Sequence, residues 1–246
     1  EQELENILRD QKTLLATLPN ILLKETPSGK DESYNEEIER FGDTPHFDFE
    51  VKDHVTLGES LGYLDLETPA KLTGSRFSML LGPLARLERA LINFMIDEHL
   101  NNGYLEVQPP FIVNSETLFG TGQLPKFKED LFSLEGRDWY LIPTAEVPLT
   151  NIKKDSIFES SEFPLLYCAY TPCFRSEAGS YGKDTRGLIR LHQFNKVEMV
   201  NIVAPEDSAL FHKKMTESAC DLLKKLGLAF RAVQLCSGDI GFSAAS

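Results

Sequence analysis

The chain has 246 residues, a formal net charge of −13 and a hydrophobic fraction of 41 %. That length holds one large domain or two modest ones, and no stretch approaches the roughly 18 consecutive apolar residues of a membrane span. The acidic balance argues against a general nucleic-acid coat, because phosphate contacts need Lys and Arg.

The opening residues Glu1-Gln2-Glu3-Leu4-Glu5 are acidic and do not form a secretory signal, so the expected location is cytoplasmic. Apolar side chains at Leu4, Ile7, Leu8, Leu14, Leu15 and Leu18 give residues 2–18 the spacing of an amphipathic helix, stopped before Pro19. With no cap before it and no Met at its start, this helix reads as the continuation of something upstream. Residues 26–56 are polar, acidic and marked by the turn sequence Thr26-Pro27-Ser28-Gly29, which reads as an extended linker. The first 53 residues hold 14 acidic and 6 basic side chains, so most of the negative charge lies before the main domain, expected over 54–246.

Within that domain, Gly82-Pro83 opens a helix striped by Leu84, Leu87, Leu91, Phe94 and Met95 and ended by Asn101-Asn102-Gly103. Strands are expected at 104–108, halted by Pro109-Pro110, and at 138–142, 165–174, 189–200 and 230–235. Pro205 opens a second helix, with Phe211, Met215, Ala219, Leu222 and Leu226 on one face and Gly227 after it. Strands following one another without intervening helices point to an antiparallel α+β domain rather than a doubly wound sheet.

The four cysteines, Cys168, Cys173, Cys220 and Cys236, match neither zinc-ribbon nor disulfide spacing. His46, His54, His99 and His212 are scattered and pair with no nucleophile.

Chemistry concentrates in residues 172–198. Two strands flank a Gly-rich loop containing Gly179, Gly182 and Gly187. Alternation puts Arg175 and Glu177 on one face of the first strand, and His192, Phe194, Lys196 and Glu198 on one face of the second. An arginine fork suits phosphate, an aromatic ring suits a base and a carboxylate suits an amino group. Between 175 and 190, Arg175, Lys183, Arg186 and Arg190 face only Glu177 and Asp184, a basic island in an acidic chain. On composition alone, the same segment also reads as a solvated turn.

Phe174-Arg175-Ser176-Glu177 resembles the motif 2 core of the class II aminoacyl-tRNA synthetases. The longer run Thr171-Pro172-Cys173-Phe174-Arg175-Ser176-Glu177-Ala178-Gly179-Ser180, then Asp184-Thr185-Arg186-Gly187-Leu188-Ile189-Arg190 and His192-Gln193-Phe194, resembles the bacterial-type seryl-tRNA synthetases within that class. So do Gly120-Thr121-Gly122-Gln123-Leu124-Pro125-Lys126-Phe127 and Pro143-Thr144-Ala145-Glu146-Val147-Pro148-Leu149-Thr150.

The resemblance implies the class II α+β fold and a two-step reaction. L-serine and ATP would form seryl-adenylate and pyrophosphate, and the serine would then pass to tRNA(Ser), and to tRNA(Sec) where present. It implies Arg175 at the α-phosphate and the serine carboxylate. Ser176, Glu177, Leu191 and Phe194 fall to the ATP side, and Thr144, Ala145, Glu146 and Glu198 to serine. Lys183 and Arg186 would lie toward the tRNA acceptor end. It further implies Mg2+ with the phosphates and a homodimer through motif 1, around Gly103 to Pro110. The domains would be the end of a tRNA-binding helical arm (1–25), a linker (26–53) and a catalytic domain (54–246). No glycine-rich motif 3 with its arginine follows Leu235, and no metal ligands are identifiable in this stretch. The competing readings are an amino acid–carrier protein ligase and a non-catalytic paralogue. The Gln123 to Phe127 loop carries a family signature but no task that its chemistry reveals.

Overall fold

The computed structural model describes residues 2–178 and 186–246. In chain order, the helices are α1 (Gln2–Leu15), α2 (His54–Ser60), α3 (Glu67–Leu72), α4 (Gly82–Asn101), α5 (Ser115–Gly120), α6 (Glu146–Asn151) and α7 (Ser208–Lys225). The strands are β1 (Glu36–Phe41), β2 (Leu64–Asp65), β3 (Met79–Leu80), β4 (Leu105–Glu106), β5 (Ile112–Val113), β6 (Ser133–Leu134), β7 (Trp139–Leu141), β8 (Leu165–Phe174), β9 (Gln193–Ile202) and β10 (Phe230–Gln234). Short 3₁₀ turns at Glu32–Tyr34, Lys128–Asp130, Ser160–Glu162 and Pro205–Asp207 complete the framework.

The chain forms two compact units. One gathers residues 1–45, 122–126 and 216–246, and the other gathers 46–121 and 127–215. This division cuts the sequence differently from the expected segments 1–25, 26–53 and 54–246.

In the first unit, the stretch read as an extended linker contains β1, which pairs antiparallel with β10 from Glu36 opposite Gln234 to Phe41 opposite Phe230. The rings of Phe41 and Phe230 stack 5.7 Å apart. Sequence reading missed β1 because its partner lies almost 190 residues away and its acidic composition hides the pairing. The final residues run beside the early ones: Asn20 N–H donates to the Phe242 carbonyl, Leu23 N–H to Ala245 and Ser237 N–H to Pro27. Buried Cys236 donates its thiol to the Asp31 carbonyl at 3.2 Å.

The second unit is built around the sheet β4-β8-β9, beside a smaller sheet β5-β7-β6 and the pair β2-β3. The α+β expectation holds. One pair departs from the antiparallel rule, because β4 runs parallel to β8. β4 itself is only two residues long, as Pro109 and Pro110 withhold the donors a longer strand needs. β8 and β9 pair antiparallel over ten residues each, from Leu165 opposite Ile202 to Phe174 opposite Gln193.

Period-2 alternation gives this hairpin two different faces. On one, Leu166, Cys168, Val197 and Met199 pack with Ile96 of α4 and with Tyr104. On the other, Tyr167, Ala169, Val200 and Ile202 pack with Ala145 and Leu149 at α6. Leu149 is fully buried there, and truncating such a side chain to alanine costs about 2–5 kcal/mol. α4 starts and stops as the sequence indicates, with Pro83 in its first turn and Asn102 as its C-cap. The six- and seven-residue helices α2, α3, α5 and α6 are too short to show a period, and the sequence reading has none of them.

Candidate active site

The second face of the β8–β9 hairpin carries the candidate site. Toward the loop end of the hairpin, Ala169 lies opposite Glu198, Thr171 opposite Lys196 and Cys173 opposite Phe194. Small side chains on β8 therefore sit beside long ones on β9, and the long ones rise above a low floor. Burial pushes the Cys173 thiol up, so it stays protonated at neutral pH and forms part of that floor.

The wall comes from the segment after β7. Ile142 is fixed by two backbone bonds: its N–H donates to Phe111, and its carbonyl accepts from Phe174 N–H at 2.9 Å. Pro143, Thr144 and Ala145 follow and are all buried. The Thr144 hydroxyl donates to the Glu198 carboxylate at 2.6 Å and accepts the Glu146 N–H at 3.2 Å. Lys196 ion-pairs with the same Glu198 oxygen. Ala145 is the N-cap residue of α6, and Glu146 opens that helix. Part of Glu146 meets solvent, yet its carboxyl is held above its ordinary range, first by desolvation and then by the Glu198 charge; Lys196 and Arg175 oppose the rise. Glu146, Glu198 and Lys196 thus form one electrostatic group, with a hydroxyl fixed inside it.

Arg175 stands at the other side. β8 ends at Phe174, so Arg175 and Glu177 lie just past the strand rather than on it. Arg175 N–H donates to the His192 carbonyl at 2.9 Å, and its Nε donates to the Pro143 carbonyl at 3.3 Å. Its guanidinium lies 5.0 Å from the centre of the Phe194 ring. His192, also just outside its strand, sets its Nδ1 2.9 Å from the Arg175 carbonyl, between the rings of Phe77 and Phe132. Leu191 is buried beside it in sequence.

Glu177 adopts a left-handed backbone, with φ of +52°. A non-glycine residue there costs about 1–3 kcal/mol. Its neighbours are held from behind by the turn at Lys128–Asp130: Ser176 N–H donates to the Asp130 carbonyl, the Ser176 hydroxyl donates to the Glu129 carbonyl, and Ala178 N–H donates to the Asp130 carboxylate at 3.0 Å. Three such bonds, at about 1 kcal/mol each, offset a strain of that size. The Glu177 carboxylate pairs with Arg190 at 2.8 Å, and its carbonyl faces the Arg76 guanidinium at 3.5 Å.

Arg186 is exposed and lies 3.8 Å from Asp53 at the start of α2. The expectation for Lys183 falls outside the described residues. Sequence reading gave no role to His54, whose Nε2 accepts the Leu188 N–H at 3.0 Å. It also missed Asp130 and the pairing of Arg190 with Glu177. Nothing in spacing marks Asp130 or His54, because each meets its partner across more than 45 residues.

Residues 127–246 match the family model of the tRNA synthetase class II core domain (G, H, P, S and T). The serine–tRNA ligase of Thermodesulfovibrio yellowstonii is 54 % identical over 245 residues, which is 100 % of this chain and 58 % of that protein. The crystal structure of seryl-tRNA synthetase from Pyrococcus horikoshii complexed with ATP superposes with a TM-score of 0.94 at 37 % identity, covering 99 % of this chain and 59 % of that one. The chain belongs to the class II aminoacyl-tRNA synthetases, among the seryl-tRNA synthetases. The cytoplasmic serine–tRNA ligase of Naegleria fowleri in complex with AMP gives a TM-score of 0.90 at 30 % identity, over 99 % of this chain and 58 % of that one. The chain therefore spans somewhat under 60 % of the length of these synthetases.

Proposed function

We propose that the protein containing this chain is a serine–tRNA ligase. It would activate L-serine with ATP to seryl-adenylate and pyrophosphate, then pass the serine to the 3′ end of tRNA(Ser), and of tRNA(Sec) where present. The observation that carries this reading is the juxtaposition, on one sheet face, of the Thr144–Glu198 pair with Arg175 stacked over Phe194. A carboxylate and a hydroxyl suit the ammonium end of an amino acid. A guanidinium fork suits both its carboxylate and a phosphate, and an aromatic ring suits an adenine.

In the first step, the serine carboxylate attacks the α-phosphorus and pyrophosphate leaves. Neither this step nor the attack of a ribose hydroxyl on the adenylate needs a protein nucleophile. The chain's contribution is alignment and charge. Arg175 draws the two like-charged reactants together. Glu198 holds the ammonium, with Thr144 fixing the carboxylate; Ala145 and Glu146 complete the serine side. Ser176, Glu177, Leu191 and Phe194 form the nucleotide side, with Phe194 stacking on the ring. Arg186 and Lys183 are the proposed contacts for the acceptor end of tRNA.

Among the described residues, no group of three or more His, Cys, Asp or Glu could hold a metal ion. Mg2+ would be held mainly by the ATP phosphates, with one or two carboxylates and water completing its shell.

The exposed leucine stripe of α1 supports reading residues 1–25 as the end of a helical arm that grips tRNA; 54–246 is the proposed catalytic domain, and the 26–53 stretch proposed as the linker pairs its β1 with β10. The segment around Gly103 to Pro110, which contains β4, is the proposed homodimer contact. No described helix is long and apolar enough to cross a membrane, and the proposed location is the cytoplasm. The test is serine-dependent pyrophosphate–ATP exchange by the full-length gene product, with threonine, alanine and cysteine as controls. Exchange with serine alone is expected, and exchange with none of the four would overturn the reading.

A further inference from the structure

The turn at Lys128–Asp130 follows directly on the loop whose sequence signature had no task. Its last residue, Asp130, is half-buried and touches the opposite strand end in two ways. The Asp130 carbonyl accepts the Ser176 N–H at 2.9 Å, and its carboxylate Oδ1 accepts the Ala178 N–H at 3.0 Å. Between these two anchored amides sits Glu177, in the left-handed conformation that side chains rarely adopt. Asp130 is in turn held by its own N–H, which donates to the Phe127 carbonyl at 3.0 Å.

We infer that Asp130 is a positioning residue for the nucleotide side of the site: it grips the backbone on both sides of Glu177 and so keeps that residue in its strained conformation, with its carboxylate on Arg190. The inference rests on the proposed function, since it assigns Glu177 to ATP.

Arg175 does not depend on this clamp. Its backbone is tied to His192 and its side chain to Pro143, both independent of residues 128–130. The Thr144–Glu198 pair is independent as well. Loss of the Asp130 carboxylate therefore separates the two halves of the site: ATP recognition suffers, and serine recognition stays.

The chemistry required of Asp130 is an acceptor oxygen aimed at one N–H. Asparagine offers an acceptor at the same place, and alanine offers none. The clamp is thus a matter of geometry rather than of charge.

The experiment compares wild-type full-length protein with Asp130→Ala and Asp130→Asn. For Asp130→Ala, KM for ATP in pyrophosphate exchange is expected to rise about tenfold or more, since small displacements of aligned groups carry penalties of that order. KM for serine should change by less than about threefold, the pattern of a lost one-sided contact. Asp130→Asn should restore the wild-type ATP value. Amide hydrogen exchange at Ala178, read without any substrate, should accelerate in Asp130→Ala and not in Asp130→Asn. Equal rises in both KM values, or an asparagine variant as impaired as alanine, would overturn the assignment. So would Ala178 exchanging alike in wild type and Asp130→Ala. If the wild type showed no serine-dependent exchange, the ligase reading would fall, and the amide measurement would still decide whether Asp130 is the clamp.

Discussion

Replacing Arg175 with alanine should separate chemistry from folding. In the structure, Arg175 contributes one side-chain hydrogen bond, from Nε to the Pro143 carbonyl, and one contact over the Phe194 ring. The hydrogen bond is worth about 1 kcal/mol and the ring contact about 0.5–1 kcal/mol. The backbone bond to His192 survives the substitution. Stability should therefore fall by about 2 kcal/mol, which for a cooperative unit of 150–250 residues lowers Tm by about 4–8 °C. The catalytic loss is much larger. Removing one preorganised donor at a site of developing charge costs about 2.7–4 kcal/mol, or a hundred- to a thousandfold in rate. Arg175 is proposed to serve both the phosphate and the serine carboxylate, so the upper end applies. The assay is serine-dependent pyrophosphate exchange on full-length protein, with thermal melting of the same sample. Arg175→Lys provides the control, because it keeps the charge and loses the planar fork; it should remain well below wild type. Exchange within threefold of wild type would refute the role. A melting temperature lowered by more than about 15 °C, well beyond what these contacts hold, would refute the separation of chemistry from fold.

Glu198→Gln should raise KM for serine more than KM for ATP, because Glu198 belongs to the Thr144 side of the site; the opposite order in steady-state exchange kinetics would sink that assignment. The Glu146 carboxyl is raised above its ordinary 4.5 by desolvation and by Glu198, so its ionised form works against the fold. The stability from its protonation is full below about pH 4.5 and is lost as pH rises through the folded-state value. Glu146→Gln should accordingly raise Tm at pH 8 and make little difference near pH 4, whereas an equal shift at both would contradict the cause given. Gly187 has φ of +83°, and a Cβ added there would stand 2.2 Å from His54 Nε2. Gly187→Ala should detach the 187–188 segment from α2 and speed amide exchange at Leu188; unchanged exchange would show that the segment adapts. Burial raises the Cys168 thiol to about 11 and raises Cys173 as well, so neither should react with iodoacetamide at pH 8 until the protein is unfolded.

Long periodic elements were legible in the sequence. Pro83 and Asn102 bracket α4 where the sequence puts them, and β8 is the strand it indicates. Alternation put Phe194, Lys196 and Glu198 on one face, and the structure sets Glu198 against Thr144, more than 50 residues earlier. What sequence could not give was anything decided by tertiary partners. β9 begins at Gln193 rather than near Ile189, because the preceding residues turn to meet His54 and Glu177. Arg175 and Glu177 leave their strand for the same reason: Glu177 takes a left-handed backbone, with its neighbours bonded to the 128–130 turn and its carboxylate to Arg190. β1 resembles a linker in the sequence because three glutamates in six residues look like a solvated segment, and only β10 makes them a strand.

That strand has a consequence for synthesis. On the ribosome, β1 emerges about 190 residues before β10, and at 5–20 residues per second it waits roughly 10–40 s for its partner. An unpaired strand is a template for aggregation during such an interval. Glu36, Glu37 and Glu39 give it a repulsive surface, and every residue of the strand stays exposed even after pairing. The acidity that disguises β1 in the sequence thus protects the nascent chain, and swapping these glutamates for β-branched residues would strengthen the finished strand pair at the expense of soluble yield.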